Sequence, residues 1–274
     1  MVSMGTVWDR ATEFLSDNLS AIFPLALFAI FAPLAISQSI LPLTVLGGST
    51  ALIVGFLWVV LSIASNWGSV AVMALALDAV GGRSAAIATA NRRFLPIIGI
   101  SLILLVGAIA LTLPLGIALG LSGLDMQAAV RGGKAELTGG LGWFIILYLV
   151  FLLGASIWLV ARLALLTPTI LVEQRGIGAI GRSFKLTKSV QWKIIGVAIL
   201  YVIVFGVCSL AAKFVFGSLF ALIAGGDGPV TLGSVLASIM VSVVTTAFTV
   251  LASAFIGKLY LVVRDAREAI VNSA

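Results

Sequence analysis

Few side chains in these 274 residues could carry chemistry. There is no histidine. That removes the commonest general base and metal ligand, and with them every Ser-His-Asp or Cys-His arrangement. The single cysteine, Cys208, lies inside an apolar run. One thiol forms neither an internal disulfide nor a four-ligand metal site, so Cys208 is expected to act as a small hydrophobe. Gly81-Gly82 and Gly176-Ile177-Gly178 are short linkers with no preceding strand and no Gly-Lys-Ser/Thr, so no phosphate-cradling loop is expected. The chain reads as a non-enzyme with no cofactor and no metal.

What remains is neutral or basic. The polar residues inside apolar stretches are Asn66 with Ser65 and Ser69, then Thr112, Ser156, and Thr245, Thr246 and Ser253. Asp78 and Glu173 fall at the edges of such stretches, and no carboxylate falls at a stretch centre. A proton- or sodium-coupled carrier normally needs a carboxylate or an opened helix at its midplane. Asn66, Ser69, Thr245 and Thr246 are the candidates for a small polar cluster between spans. The competing reading of Asn66 is an interhelical hydrogen bond worth about 0.6–2 kcal/mol. Among the basic residues, Arg162, Arg182, Lys185, Lys188, Arg92 and Arg93 are the candidates for contact with anionic lipid headgroups or a protein partner. A cation near such a surface contributes about 1 kcal/mol.

These residues must be held by elements that live in lipid. The chain is 61% hydrophobic, only 9% charged, and has a mean hydropathy of +1.25. An ordinary soluble domain is about a quarter charged. A helix needs about 20 residues to cross a hydrocarbon core of ~30 Å. The sequence predicts six spans, at about 21–40, 51–77, 95–120, 142–165, 194–213 and 232–258. The fifth apolar stretch runs past its span. There Lys213 is expected to end the crossing by snorkelling, leaving 214–224 along the surface. Residues 1–18 are expected to form an amphipathic surface helix, with Val7, Trp8, Ala11, Phe14 and Leu15 on one face. Fold class is therefore all-α integral membrane, one membrane domain over residues 1–274.

Basic residues give the orientation. With Lys213 left out, thirteen Lys and Arg fall on one side, and only Arg131 and Lys134 on the other. By the positive-inside rule both termini are expected in the cytoplasm. The +6 net charge then reads as topology and headgroup contact, and no nucleic-acid partner is expected. Trp8, Trp143, Trp158 and Trp192 are expected at membrane interfaces, whereas Trp58 and Trp67 fall within span two and are expected between helices. Pro24, Pro33 and Pro114 are expected to bend their helices. Gly116 and Gly120 form a GxxxG suited to packing within or between subunits.

Two loops on the basic side look alike. Gly82-Arg83-Ser84 leads through Arg92-Arg93 to Ile97-Ile98-Gly99, and Gly181-Arg182-Ser183 leads through Lys188 and Lys193 to Ile194-Ile195-Gly196. Each reads as span, basic surface helix, span, in the manner of a weakly duplicated three-span unit.

The second half carries a further pattern. Arg162 is followed six residues on by Pro168, then Glu173, the run Ala179-Ile180-Gly181-Arg182-Ser183 with Leu186-Thr187, and near the end Tyr260 with Arg264. This order resembles a group of bacterial six-helix inner-membrane proteins, the glycerophosphoryl-diester-phosphodiesterase membrane-domain-like or uncharacterised integral membrane proteins. The resemblance covers the C-terminal half and, in layout only, the first half. It implies six helices in a bacterial inner membrane. It implies hydrolysis of lipid phosphodiesters only where a soluble catalytic domain is attached, and this sequence contains none. The expected function is that of a non-enzymatic multi-pass protein, lipid-interacting or an accessory or scaffold subunit for a membrane partner or a second copy. The alternative is a transporter or lipid-translocating protein with a small polar cavity between its spans.

Overall fold

The structure, a computed structural model, describes residues 3–121, 139–174, 176–224, 228 and 230–272, and every regular element among them is helical. The expected far-side charges Arg131, Lys134 and Asp227 lie outside the described residues, as does Arg175. Six segments are long and apolar enough to cross a membrane.

A helix α1 (Met4–Asp17) precedes the first of them. It buries Val7, Ala11 and Phe14, spaced three to four residues apart. Val7 packs with Leu259, Tyr260 and Val263, so this face meets the chain's own last helix.

The first span, α2 (Leu19–Leu46), changes helix type along its length. It is α-helical over Leu19–Pro24, π-helical over Leu25–Phe31, α-helical again over Ala32–Ile40 and 3₁₀ over Leu41–Leu46. Pro33 cannot donate to the Ala29 carbonyl four residues back, and a widened turn absorbs the mismatch. Gly68 of the next helix rests on that site. A Cβ there would lie 2.8 Å from the Ala29 oxygen and 2.7 Å from Ile30 Cγ1. Gly47 and Gly48, with φ of 67° and 55°, make the turn out of α2.

Next come α3 (Gly48–Leu77) and α4 (Gly82–Leu121). Between them the Asp78 carboxylate accepts the Gly81 N–H at 3.2 Å. The expected separate basic surface helix before span three is absent, because α4 runs unbroken for 40 residues through Pro96 and Pro114. The second loop differs. There α5 (Gly139–Leu163), α6 (Leu166–Glu173), α7 (Gly178–Thr187) and α8 (Gln191–Ala224) are distinct elements. Helix α5 stops at Ala164–Leu165, because the Pro168 ring displaces the carbonyl four residues back, at Ala164. Pro168 itself sits in the first turn of α6, where its missing N–H costs little.

Helix α8 runs through Lys213 to Ala224 without a break, since Lys is a good helix former and no proline follows within the helix. The last helix, α9 (Leu232–Asn272), spans 41 residues or about 60 Å. A reciprocal cap starts it, Thr231 and Ser234 each bonding the other's backbone N–H through their hydroxyls at 2.9 and 3.1 Å.

Packing is concentrated at the basic end. Val70–Ala76 of α3 are all buried, among residues that include Phe14, Ile22, Ile30, Ala86, Ala90, Leu171 and Ala254. A second cluster joins Val7, Ala161, Leu165, Leu186, Ile194 and Tyr260, and a third joins Ile100, Leu166, Ile170 and Ala179. Helix α9 reaches α3 closely because Gly257 faces Ala76; a Cβ there would sit 3.0 Å from the Ala76 Cβ.

Candidate functional site

Among the places that gather polar side chains from several helices are the junction of α5, α6, α7 and α9 at the basic end, and a cleft between α3 and α4.

The junction begins with orphan carbonyls. A helix leaves its last carbonyls unpaired, and α5 and α7 satisfy each other's. Ser183 Oγ donates to the Arg162 carbonyl at 2.7 Å, while the Arg162 guanidinium donates to the Phe184 carbonyl at 3.1 Å. The Arg162 guanidinium also lies 5.5 Å from the Trp158 ring centre and 5.8 Å from that of Phe184. Arg267 of α9 bonds the Lys185 carbonyl. Arg182 Nε donates to both Glu173 carboxylate oxygens, at 2.8 and 3.1 Å. The fully buried Tyr260 donates to the same carboxylate at 3.2 Å across 87 residues of sequence. Glu173 thus ties α6 to α7 and α9 with charge-assisted bonds.

This accounts for the sequence pattern around these residues. Ala179, Ser183, Leu186 and Thr187 are the buried face of α7, and Arg182, Glu173 and Tyr260 form its polar lock. Of the expected headgroup contacts, Arg162 and Arg182 point inward and hold the fold. Lys185, Lys188 and Arg92 are exposed, and Arg93 is half-buried. Trp192 beside them is 81% exposed. Gly178, Gly181, Arg182 and Lys185 line a shallow depression on this surface.

The cleft between α3 and α4 has a volume of about 330 Å³. Small-molecule sites run from roughly 300 to 1,000 Å³. Asn66 and Ser69 line it, but Thr245 and Thr246 do not, so the four do not form one cluster. Thr245 and Thr246 bond the Val241 and Ser242 carbonyls of their own helix, at 2.9 and 2.7 Å. The cleft is completed instead by Ser101 of α4 and Thr167 of α6, with Ile63, Met73, Phe94, Ile97 and Leu105 among its apolar walls. Trp67 Nε1 donates to Asn91 Oδ1 at 2.9 Å, also joining α3 to α4. Sequence reasoning passed over Ser101 and Thr167. The available signal was Ser101 standing alone between Arg93 and Thr112.

Gly116 and Gly120 meet nothing within 4 Å of an added Cβ. Close approaches between helices of this chain occur at Gly68, Gly233 and Gly257 instead. Among the described residues no cluster of three or more metal-ligating side chains occurs. Compared with protein-family models, with curated proteins and with solved structures, the chain matches none.

Proposed function

We propose that this chain is a non-enzymatic, lipid-interacting multi-pass protein of a bacterial inner membrane, with its basic end and both termini in the cytoplasm. The observation that carries the reading is α7. It buries Ala179, Ser183, Leu186 and Thr187 against the protein and leaves Lys185, with the adjacent Lys188, exposed beside Trp192. Two exposed ammoniums and an exposed indole within eight residues of sequence suit the headgroup region of an anionic leaflet. The motif resemblance supports the same reading, and a scaffold role follows because α7 is anchored on three other helices while its basic face stays open.

Native mass spectrometry from lipid-preserving particles tests it. Phosphatidylglycerol should be retained, and the double variant Lys185→Gln/Lys188→Gln should lose most of it while keeping its helical spectrum. Equal retention by variant and wild type would overturn the headgroup reading. A second protein at fixed stoichiometry, displaced by the same variant, would make the basic face an accessory-subunit surface.

A second reading, movement of a lipid or small molecule between leaflets, has one observation in its favour: Asn66, Ser69 and Ser101 line a cleft between two helices apolar enough to cross a membrane.

A further inference from the structure

Helices α1 and α9 enclose a pocket of about 370 Å³ at the basic end, with Ala79 of the α3–α4 turn and Leu261 among its walls. Arg10, Glu13 and Asp17 line it from α1, where spacings of three and four residues set them on one flank beside the buried face. Lys258 lines it from α9. This lysine is half-buried, with its ammonium 4.7 Å from the Phe14 ring centre. Among the described residues none of these four charges has an ion-pair partner, and only the Asp17 carboxylate is hydrogen-bonded, accepting from the neighbouring Ser16 hydroxyl at 3.3 Å. Unpaired charges also stand elsewhere on this chain. Here, however, both signs face one pocket, whereas the depression at Gly178 and Lys185 is lined by cations alone and the α3–α4 cleft by no charge.

That balance selects the occupant. An anionic headgroup would meet two carboxylates, and a plain amine two cations, in a sheltered place where like charges repel more strongly than in water. A net-neutral group that carries a phosphate and a primary ammonium satisfies both pairs. A quaternary ammonium fits less well. It has no N–H for a carboxylate, and Phe14, the one ring among the lining residues, already holds Lys258. Asp17 is shared with a second hollow, lined by Leu19, Phe23 and Pro24 at the start of the first span, and both Leu19 and Phe23 are exposed. A path for hydrocarbon therefore leads from the charged pocket along α2. We infer that the α1–α9 pocket binds one phosphatidylethanolamine, with its phosphate at Arg10 and Lys258, its ammonium at Glu13 and Asp17, and its acyl chains along Leu19 and Phe23. The inference rests on the proposed placement of the basic end at a leaflet surface, but on none of the α7 residues that carry that reading.

Native mass spectrometry of the full chain in detergent, titrated with dioleoyl-phosphatidylethanolamine or dioleoyl-phosphatidylcholine, tests this. One phosphatidylethanolamine should bind about tenfold tighter than phosphatidylcholine, the worth of one charge-assisted hydrogen bond. Glu13→Gln/Asp17→Asn, at two exposed positions, should erase that preference and let the remaining cations take up one further phosphatidylglycerol. Lys258→Gln should weaken phosphatidylethanolamine binding, and Arg10→Gln, at an exposed position, is the deciding variant if the Lys258 substitution disturbs folding. Three results would overturn the inference: equal affinity for the two lipids, wild-type preference in the Glu13→Gln/Asp17→Asn variant, or displacement of the lipid by an equal concentration of glycerophosphoethanolamine, which shares the headgroup and lacks acyl chains. Each would leave phosphatidylglycerol retention at Lys185 and Lys188 standing, so the two readings fail separately.

Discussion

Helix α3 is two different environments in one rod. From Val70 to Ala76 every side chain is buried, whereas Leu52, Ile53, Phe56, Leu57, Trp58, Val59 and Val60 are all exposed. The contrast is weaker in α4, α5 and α8. Near the basic loops they bury Ala86, Ala90, Ala161 and Ile194; away from them they bury Ala118, Ile145 and Ala212, while Ile109, Leu113, Ile117, Leu147, Val150, Val207 and Leu222 are exposed. In water such a surface would aggregate; in lipid it is the solvent-facing side. Lipid gives no hydrophobic drive for helices to pack, so packing forms where small residues and polar bonds supply another reason. At the basic end they do, through Gly68, Gly257 and the Glu173 lock.

If that contrast governs stability, substitutions should divide by end. The largest effect is expected from Glu173→Ala, which leaves Arg182 and the buried Tyr260 hydroxyl without their shared acceptor. Partial exposure of the pair tempers the cost of a broken buried ion pair to about 3 kcal/mol, read from denaturant unfolding in a mild detergent. Gly68→Ala comes next. Its methyl would press on the Ala29 backbone, and overpacking of this kind costs about 1–3 kcal/mol. Tyr260→Phe should cost about 1 kcal/mol, the net worth of one hydrogen bond. The smallest effect, of opposite sign, is expected at the far end: Gly120→Ala should be neutral or stabilise by up to about 1 kcal/mol, since its Cβ meets nothing and alanine favours helix. A loss of stability there would show that the far end is packed against something outside this chain, and the comparison would fail.

The same division explains what could be read without coordinates. Spans are legible because twenty apolar residues leave few alternatives: six were expected, and among the described residues six helices are long and apolar enough to cross a membrane. Where helices end was less legible, since a local rule competes with helix propensity. Pro168 acts at Ala164, four residues before itself, and Lys213 lacks the power to end a helix. The first basic loop merges into α4 while the second breaks into α6 and α7, although their sequences look alike. The difference is Pro168 and the tertiary pairing of Arg162 with α7. At the site, charge alone does not distinguish Arg182, paired with Glu173, from Lys185, which faces out. That depends on α6, which hydropathy absorbed into span four. The cleft was half legible: Asn66 and Ser69 stand out in an apolar run, while Ser101 and Thr167 join them only through the crossing of three helices.

The central position of α9 has a consequence for biosynthesis. This helix packs on α1, α2, α3 and α8, and it supplies Gly257, Leu259, Tyr260 and Val263 to the core, yet it is the last described element to leave the ribosome. The five preceding spans must enter the bilayer and wait there without their common partner. They can wait because each satisfies its own backbone and faces acyl chains on nearly all sides. Assembly is then a late event, with the final helix drawing earlier ones together at one end and closing the Glu173–Tyr260 bond as its last long-range step.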